Sequence, residues 1–447
     1  MKNLFSKYDA PAPRYTSYPT VPYWKETPTA DQWISHLRTT LQKTESSWSL
    51  YLHIPYCETL CTFCGCNTTI TKDHKKEQPY VDSLLHEFQI YLEKVPELKT
   101  KPCRQIHLGG GTPTFLSAEN LQTLLKGLKK NMILDEEHFE GSIEVDPRRT
   151  SREQLEILFK NGIQRISLGV QDFDIEVQRL VNRIQPFEIT KRLTDWAREI
   201  GFVSVNFDLI YGLAKQTPES IRKSTELTIQ LRPDRIALYS FALVPWIKPA
   251  QRLFKDEDLP KSEDKRILYE IAREMLLKAG YLEVGMDHFA LPKDGLFQAM
   301  QSKSLHRNFM GYTDVRTDIL LGLGVSSISE SPFSFHQNEK VLSTYESRLE
   351  KSEIPTLRGH ILSALDQKRR TQILQFMTEY QVHLEADQTI DVEKFLAEMI
   401  ADGLVQLKGQ NLHITEKGKP FLRNACVFFD EHLRLNQPQT KIFSQSI

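Results

Sequence analysis

Four cysteines crowd one short stretch: Cys57, Cys61, Cys64 and Cys66, in YLHIPYCETLCTFCGCNTT (residues 51–69). The first three have the spacing C-x3-C-x2-C. Three thiolates can hold a four-iron cluster and leave its fourth iron without a protein ligand, and an open metal position is where chemistry can occur. Two other uses of the same thiols stay open. Zinc prefers two separated C-x2-C pairs, or Cys and His pairs, so His53 and Cys66 would have to complete a tetrad. A disulfide needs an oxidising compartment, and the remaining cysteines, Cys103 and Cys426, have no partner at ligand spacing.

Further polar residues stand where short apolar runs end. Phe63 and Gly65 lie between the cysteines, a bulky shield and a permissive backbone position. Gly109-Gly110-Gly111-Thr112-Pro113 follows one run; three glycines let a ligand approach the backbone, although a tight turn explains them as well. Glu144 and Asp146 end another run, where a carboxylate can bind ribose hydroxyls or an ammonium group. Gln171 and Asp172 end a fourth, Arg183 follows, and Asp208 lies in a fifth. Each alone reads as structural; their equivalent positions make a shared pocket the better account.

The elements that must position them alternate. SLYLHI, QIHLGG, GSIEVD, RISLGV, SVNFDLIYG and RIALYSFAL are short, rich in β-branched and aromatic residues, and end in turn chemistry. Between them, Val81, Leu84, Leu85, Phe88, Leu92 and Val95 form one apolar helix face. Helices are also expected over 117–131, 151–161, 187–200, 218–230 and 261–279, two of them opening on Ser117 and Ser151 as N-caps. Such alternation means a parallel sheet with right-handed crossovers. Six strands fall short of the eight of a closed barrel, so the expected fold is α/β, a partial (β/α)6 barrel with its site at the strand C-termini.

Residues 1–47 are rich in Pro and aromatics and are expected to be an extended segment over the site, with a helix near 31–44. From about His360 the alternation stops. Helices over 361–380, 391–403 and 416–433 with a hairpin about 408–411 suggest a mainly helical, winged-helix-like C-terminal domain. The expected division is therefore 1–47, 48–355 and 356–447. The 447 residues carry 57 Lys and Arg against 58 Asp and Glu, a net charge of −1, which speaks against a dedicated nucleic-acid or membrane-surface protein. No apolar run reaches ~20 residues and no signal-peptide core is present, so a cytoplasmic protein is expected.

With these motifs in view, the chain resembles the radical S-adenosylmethionine superfamily and, more narrowly, the oxygen-independent coproporphyrinogen III oxidases. The resemblance runs from about Lys7 to the C-terminus and rests on PRYTSYPT (13–20), the CGCN that ends the cysteine loop, LGGGTPT, SIEVDPR, SLGVQDF, VNRIQ, DLIYGL, GMDHFA, LHRNF and RNACVFFD. It implies a cluster on Cys57, Cys61 and Cys64, and two S-adenosylmethionine molecules. Tyr51, Gly110, Glu144 and Ile328 match contacts to the one that chelates the open iron. Phe63, Gly111, Thr112, Gln171, Arg183, Asp208 and Ala242 match contacts to the second. Tyr51, Cys66 and Arg14 match residues of the catalytic site, Cys66 not as a ligand. The implied activity is 5′-deoxyadenosyl-radical decarboxylation of two propionates of coproporphyrinogen III to vinyl groups, giving protoporphyrinogen IX without O2. It requires an electron donor and an electron acceptor, and a monomer is expected. Arg14 and Arg307 are candidates for the substrate carboxylates. Two departures, Leu243 where the family often has His and Met310 where it often has Gln, remove polar groups. A haem chaperone, or a paralogue acting on another tetrapyrrole, is the alternative that keeps the cluster without this activity.

Overall fold

The computed structural model describes residues 2–436, 438, 440 and 442–446, with side chains undescribed at 2, 3, 256 and 262. Six parallel strands follow one another in chain order: β1 (Trp48–Ile54), β2 (Pro102–Gly110), β3 (Glu140–Val145), β4 (Arg165–Gln171), β5 (Ser204–Tyr211) and β6 (Arg235–Ser240). Each hydrogen-bonds its successor in parallel register, for instance Leu52 opposite Leu108 and Asn206 opposite Arg235. The helices between them begin where local chemistry favours it. Ser151 and Gln154 form a capping box, Thr217 caps a helix that opens on Pro218, and Gly201 ends Phe187–Ile200 in the left-handed region.

Strand side chains alternate between two environments. Leu50, Leu52, Ile106, Leu108, Ile143, Ile166, Leu168, Val205, Phe207 and Ile236 face the helices and are buried in the main core. Their neighbours, such as His107, Ser142, Glu144, Ser167, Asn206 and Asp208, face the barrel interior and line one cavity. The period of two thus separates an apolar outer layer from a polar inner one.

The barrel stays open, and its sheet is longer than expected. A parallel strand, Ile319–Leu323, pairs with β1 on its free side, and three antiparallel strands (Ile328–Glu330, Ser334–Asn338, Thr356–Ile361) continue from it. At the other edge β6 pairs antiparallel with His288–Ala290, and with the short strands Lys25–Thr27, Ile133–Leu134 and Leu282–Val284 the sheet has 14 strands among the described residues. The added strands are short or carry polar residues such as His336 and Gln337, which hides them from a hydrophobic-pattern reading. Thr356–Ile361 takes the sheet six residues past the division expected at 355/356.

Three local expectations are corrected. The N-terminus is not wholly extended: Lys2–Tyr8 is a helix, because Leu4, Phe5 and Tyr8 pack on the C-terminal core. The helix expected over 391–403 is two, Gln388–Phe395 and Ala397–Ala401. The one expected over 416–433 is a series of short α and 3-10 turns, so that Phe421, Leu422, Phe428 and Phe429 all point inward. The hairpin is present as Val405–Lys408 and Asn411–Ile414. No described helix is long and apolar enough to cross a membrane.

One buried carboxyl ties the first crossover helix to the added strands. Glu87 accepts hydrogen bonds from Gly324 N (2.7 Å), Tyr345 Oη (2.6 Å) and Asn338 Nδ2 (2.6 Å) and has no exposed surface. Burial pushes its carboxyl up from 4.5 to about 7. The folded chain therefore holds a proton that the unfolded chain has lost, and this contribution to stability is present at low pH and declines as pH rises from 4.5 through 7, by ~3 kcal/mol. Glu87→Gln should remove that slope. The melting temperature of the parent minus that of the variant should fall between about pH 5 and 8; a constant difference would mean that Glu87 does not titrate there.

Candidate functional site

The C-terminal ends of the six strands open into a cavity of about 560 Å³. Its mouth is the cysteine loop. That loop is fastened to the strand ends by backbone bonds: Gly111 N donates to Ile54 O (2.8 Å), Thr112 N to Tyr56 O (3.0 Å), and Thr69 N to Pro55 O (2.7 Å). Its far side is fixed by Thr62 N to Val181 O (3.1 Å), Asn182 Nδ2 to Leu60 O (2.8 Å), Gln251 Nε2 to Phe63 O (3.0 Å) and Lys248 Nζ to Cys66 O (2.7 Å). The glycines are needed here. Gly110 has φ +115°, and a Cβ on it would lie 2.8 Å from Ile54 O; one on Gly111 would lie 2.7 Å from Pro55 O.

Cys57, Cys61 and Cys64 all line the cavity. Two guanidiniums approach Cys61 Sγ, Arg183 Nη1 at 3.7 Å and Arg148 Nη2 at 3.8 Å. Both are held by Asp146, which meets Arg148 at 2.7 Å and Arg183 at 3.3 Å. Burial works against ionisation of Asp146, but the two arginines keep its carboxyl below the usual range. Burial pushes the Cys57 thiol up to about 12. Cys64 is drawn down to about 6, because its sulfur accepts a hydrogen bond from the Cys66 side chain and, against the effect of burial, another from the Cys66 N–H at 3.4 Å.

This donor set suits an iron–sulfur cluster. Sulfurs around one tetrahedral zinc at ~2.3 Å would lie ~3.8 Å apart, yet Cys57, Cys61 and Cys64 do not bring their three sulfurs within 4.8 Å of one another. Nor is His53 free to complete a zinc tetrad: Nε2 lies 2.9 Å from Asn67 O and Nδ1 3.1 Å from Tyr51 Oη. The nearby arginines offset the negative charge that thiolate ligands bring.

Of the other expected residues, Arg14, Phe63, Cys66, Gly110, Gly111, Thr112, Glu144, Gln171, Arg183, Asp208 and Ala242 also line the cavity. Glu144 has His107 Nε2 at 3.5 Å; burial opposes its ionisation, but His107 holds it below the usual carboxylate range. Asp208 receives Ser167 Oγ and Asn206 Nδ2, each at 2.8 Å, and burial together with the Glu144 charge raises it to about 6. Arg14 gives one N–H to Ser240 O (2.7 Å). Met310 lines the cavity, whereas Leu243 packs with Phe241 and Phe254 beside it.

Three expected residues are not on the wall. Tyr51 stands behind it, stacked on His107 at 5.9 Å and edge-on to Phe309 at 4.8 Å. Ile328 packs beside Trp24 and Phe335. Arg307 lies over the Tyr312 ring and donates to Arg14 O at 3.2 Å, so it reaches the cavity through Arg14.

Other contributors escaped the sequence reading. His107, Ser142, Ser167 and Asn206 were legible as alternate polar positions within the strands. Tyr239 and His288, ring centroids 5.7 Å apart, close the wall near Asp208. Arg423, buried within RNACVFFD, donates to the carbonyls of Ala12 and Pro13, directly before Arg14, and to those of Gln445 and Ser446. Only the fold brings those segments together.

Comparison with known proteins identifies the family. The pattern of the Radical SAM superfamily matches residues 51–228. Curated relatives named oxygen-independent coproporphyrinogen III oxidase include those of Escherichia coli (40% identical over 441 residues, 96% of this chain and 95% of the relative) and Pseudomonas aeruginosa (37% over 442 residues, with the same coverage). The solved structure of coproporphyrinogen III oxidase from Escherichia coli, described as a radical SAM enzyme, superposes with a TM-score of 0.88 at 39% identity, covering 94% of this chain and 98% of that one. Similarity of that degree over nearly the whole of both chains shows that this chain belongs to the oxygen-independent coproporphyrinogen III oxidase family of radical S-adenosylmethionine proteins.

Proposed function

We propose that the chain decarboxylates two propionates of coproporphyrinogen III to vinyl groups, giving protoporphyrinogen IX without O2, in porphyrin and haem biosynthesis. The observation that carries this reading is convergence: the three-cysteine loop, the polar strand ends and the N-terminal Arg14 meet at one cavity. The family implies a [4Fe–4S] cluster and S-adenosylmethionine; when bound, these supply a 5′-deoxyadenosyl radical able to take a hydrogen atom from a propionate β-carbon. Cys57, Cys61 and Cys64 would hold the cluster, and Arg148 and Arg183 would balance its thiolates.

The chain's own residues bind and orient. The Glu144 carboxylate, ionised beside His107, is suited to an ammonium or a pair of ribose hydroxyls, and the Gly110–Gly111 backbone permits close approach. Asp208, Gln171, Arg183 and Thr112 form a second polar group, which we assign to a second S-adenosylmethionine. Arg14 has N–H groups left for a substrate carboxylate, and Arg307 and Arg423 hold it there. Loss of CO2 and of one electron to an acceptor then leaves the vinyl group. In this reading the chain works as a monomer in the cytoplasm with a separate electron donor.

Cluster-loaded protein, given reductant, S-adenosylmethionine and coproporphyrinogen III under anaerobic conditions, should yield protoporphyrinogen with 5′-deoxyadenosine, read by mass spectrometry. Deoxyadenosine without a decarboxylated tetrapyrrole would retain the radical chemistry and reject the substrate, turning attention to Leu243 and Met310. Arg14→Gln removes a charge-assisted hydrogen bond of ~1.5–3 kcal/mol, so the substrate KM should rise about 10- to 100-fold while deoxyadenosine formation without substrate persists. An unchanged KM would remove Arg14 from substrate binding. Equilibrium dialysis should find two S-adenosylmethionine molecules per cluster-loaded chain and one for Asp208→Ala; one for both would reject the second site.

A further inference from the structure

One cluster of ligating side chains takes no part in the chemistry above. His360 lies near the end of strand Thr356–Ile361, Asp366 in the first turn of helix Ala364–Glu379, and His432 in the last described helix, Glu431–Leu435. The two histidines, their rings edge-on at 5.3 Å, each meet a different oxygen of the carboxylate. His432 Nε2 is 2.8 Å from Asp366 Oδ1, and His360 Nε2 is 3.2 Å from Oδ2. One ligand atom from each residue lies within 4.8 Å of the other two, and among the described residues no other set of three His, Cys, Asp or Glu side chains does so.

We propose that His360, Asp366 and His432 form a binding site for one divalent transition-metal ion of the zinc class. Two imidazole nitrogens and one carboxylate oxygen are a donor set such ions take, with a fourth position left to water. Ligands bonded at 2.0–2.2 Å in a tetrahedron lie ~3.3–3.6 Å from one another, and the three ligand atoms, all within 4.8 Å of one another, are already near that spacing. The carboxylate is already oriented, since Ser363 N and Ser363 Oγ donate to Asp366 Oδ2 at 2.9 and 2.8 Å, as outer-shell groups do in metal sites. Neighbouring cations are engaged elsewhere: Arg369 with Glu431 at 2.6 Å and Arg370 with Glu330. Asp366 is buried while the His432 side chain is 28% exposed, which leaves an approach from solvent.

The position gives such an ion a structural consequence. His432 lies against the rings of Tyr18 (5.8 Å) and Tyr23 (5.9 Å), and Glu431 N donates to Tyr18 Oη at 3.2 Å. Tyr18 belongs to the segment that carries Arg14 into the cavity. One ion would therefore clasp three parts of the chain: the end of the sheet, the C-terminal helix, and through the tyrosines the N-terminal segment. The site is independent of the cluster and of the assigned reaction.

The test uses cluster-loaded protein under anaerobic conditions, with Co2+ as spectroscopic probe and Zn2+ as competitor. One Co2+ should bind in addition to the cluster iron, with visible d–d bands and no thiolate-to-cobalt charge transfer, and Zn2+ should displace it. His360→Ala and His432→Ala should each weaken binding by at least about 10-fold with iron content and circular dichroism unchanged, and His432→Gln, which keeps a polar side chain at that place, should do the same. Zn2+ should raise the melting temperature of the parent and not of the variants. Cobalt bound equally by the parent and all three variants, cobalt with thiolate charge transfer, or no bound cobalt would each overturn the proposal and leave the trio as a hydrogen-bonded ion cluster.

Discussion

A polar barrel interior is the constraint on which this molecule depends. Strands buried on both faces usually carry apolar side chains on both, and here the inner face does not. Every inward position must therefore find a partner within the barrel or be left for a ligand. Near the cavity, His107 bonds to Ser142 (2.8 Å), and Ser167 and Asn206 to Asp208. At the opposite end the floor is a charge network: Arg165 joins Glu140 (2.6 Å) and Asp314 (3.3 Å), and Arg235 joins Asp314 (2.9 Å) and Asp294. Removing one member of such a buried network strands its partners and costs on the order of 3–5 kcal/mol, although the assembled network adds little stability over apolar packing. Its value lies in closing the barrel floor while leaving the upper interior free.

The upper interior is free because its ceiling comes from elsewhere. The cysteine loop crosses the strand ends and is pinned on both sides. The N-terminal segment enters from the far side with Arg14, held by Arg307 and by Arg423. These arginines spend their donors on main-chain carbonyls, so they fix the path of the chain and leave the choice of side chain at position 14 unconstrained. Arg14 and the barrel residues that line the cavity thereby reside on separate pieces that Arg423 of the C-terminal core brings together.

Much of the fold was legible because the signal was strong. The six parallel strands alternate with helices at regular spacing, and all six lie where the apolar runs and turn residues place them. The helix starts at Ser117 and Ser151 are marked by N-cap chemistry within the chain itself. The added strands were not legible: Ser334–Asn338 reads SFHQN, all five residues of which are buried, and its pairing with Thr356–Ile361 gives it the order that its composition does not announce. The break at Leu396 and the turns after Glu416 follow from tertiary packing of Phe421, Phe428 and Phe429, to which helical periodicity is blind.

The sequence by itself determined the chemistry. Cysteine spacing, glycines before a backbone crossing and carboxylates at strand ends are local facts, carried by residue type and interval. Tertiary structure alone decided which of these groups face a common space. It put Tyr51 behind His107, left Ile328 against Trp24, passed the action of Arg307 through Arg14, and joined His360 and Asp366 to His432, more than sixty residues away. The physical reason is that orientation and long-range proximity depend on the pleat of each strand and on how the elements pack, and neither is encoded in the interval between two residues.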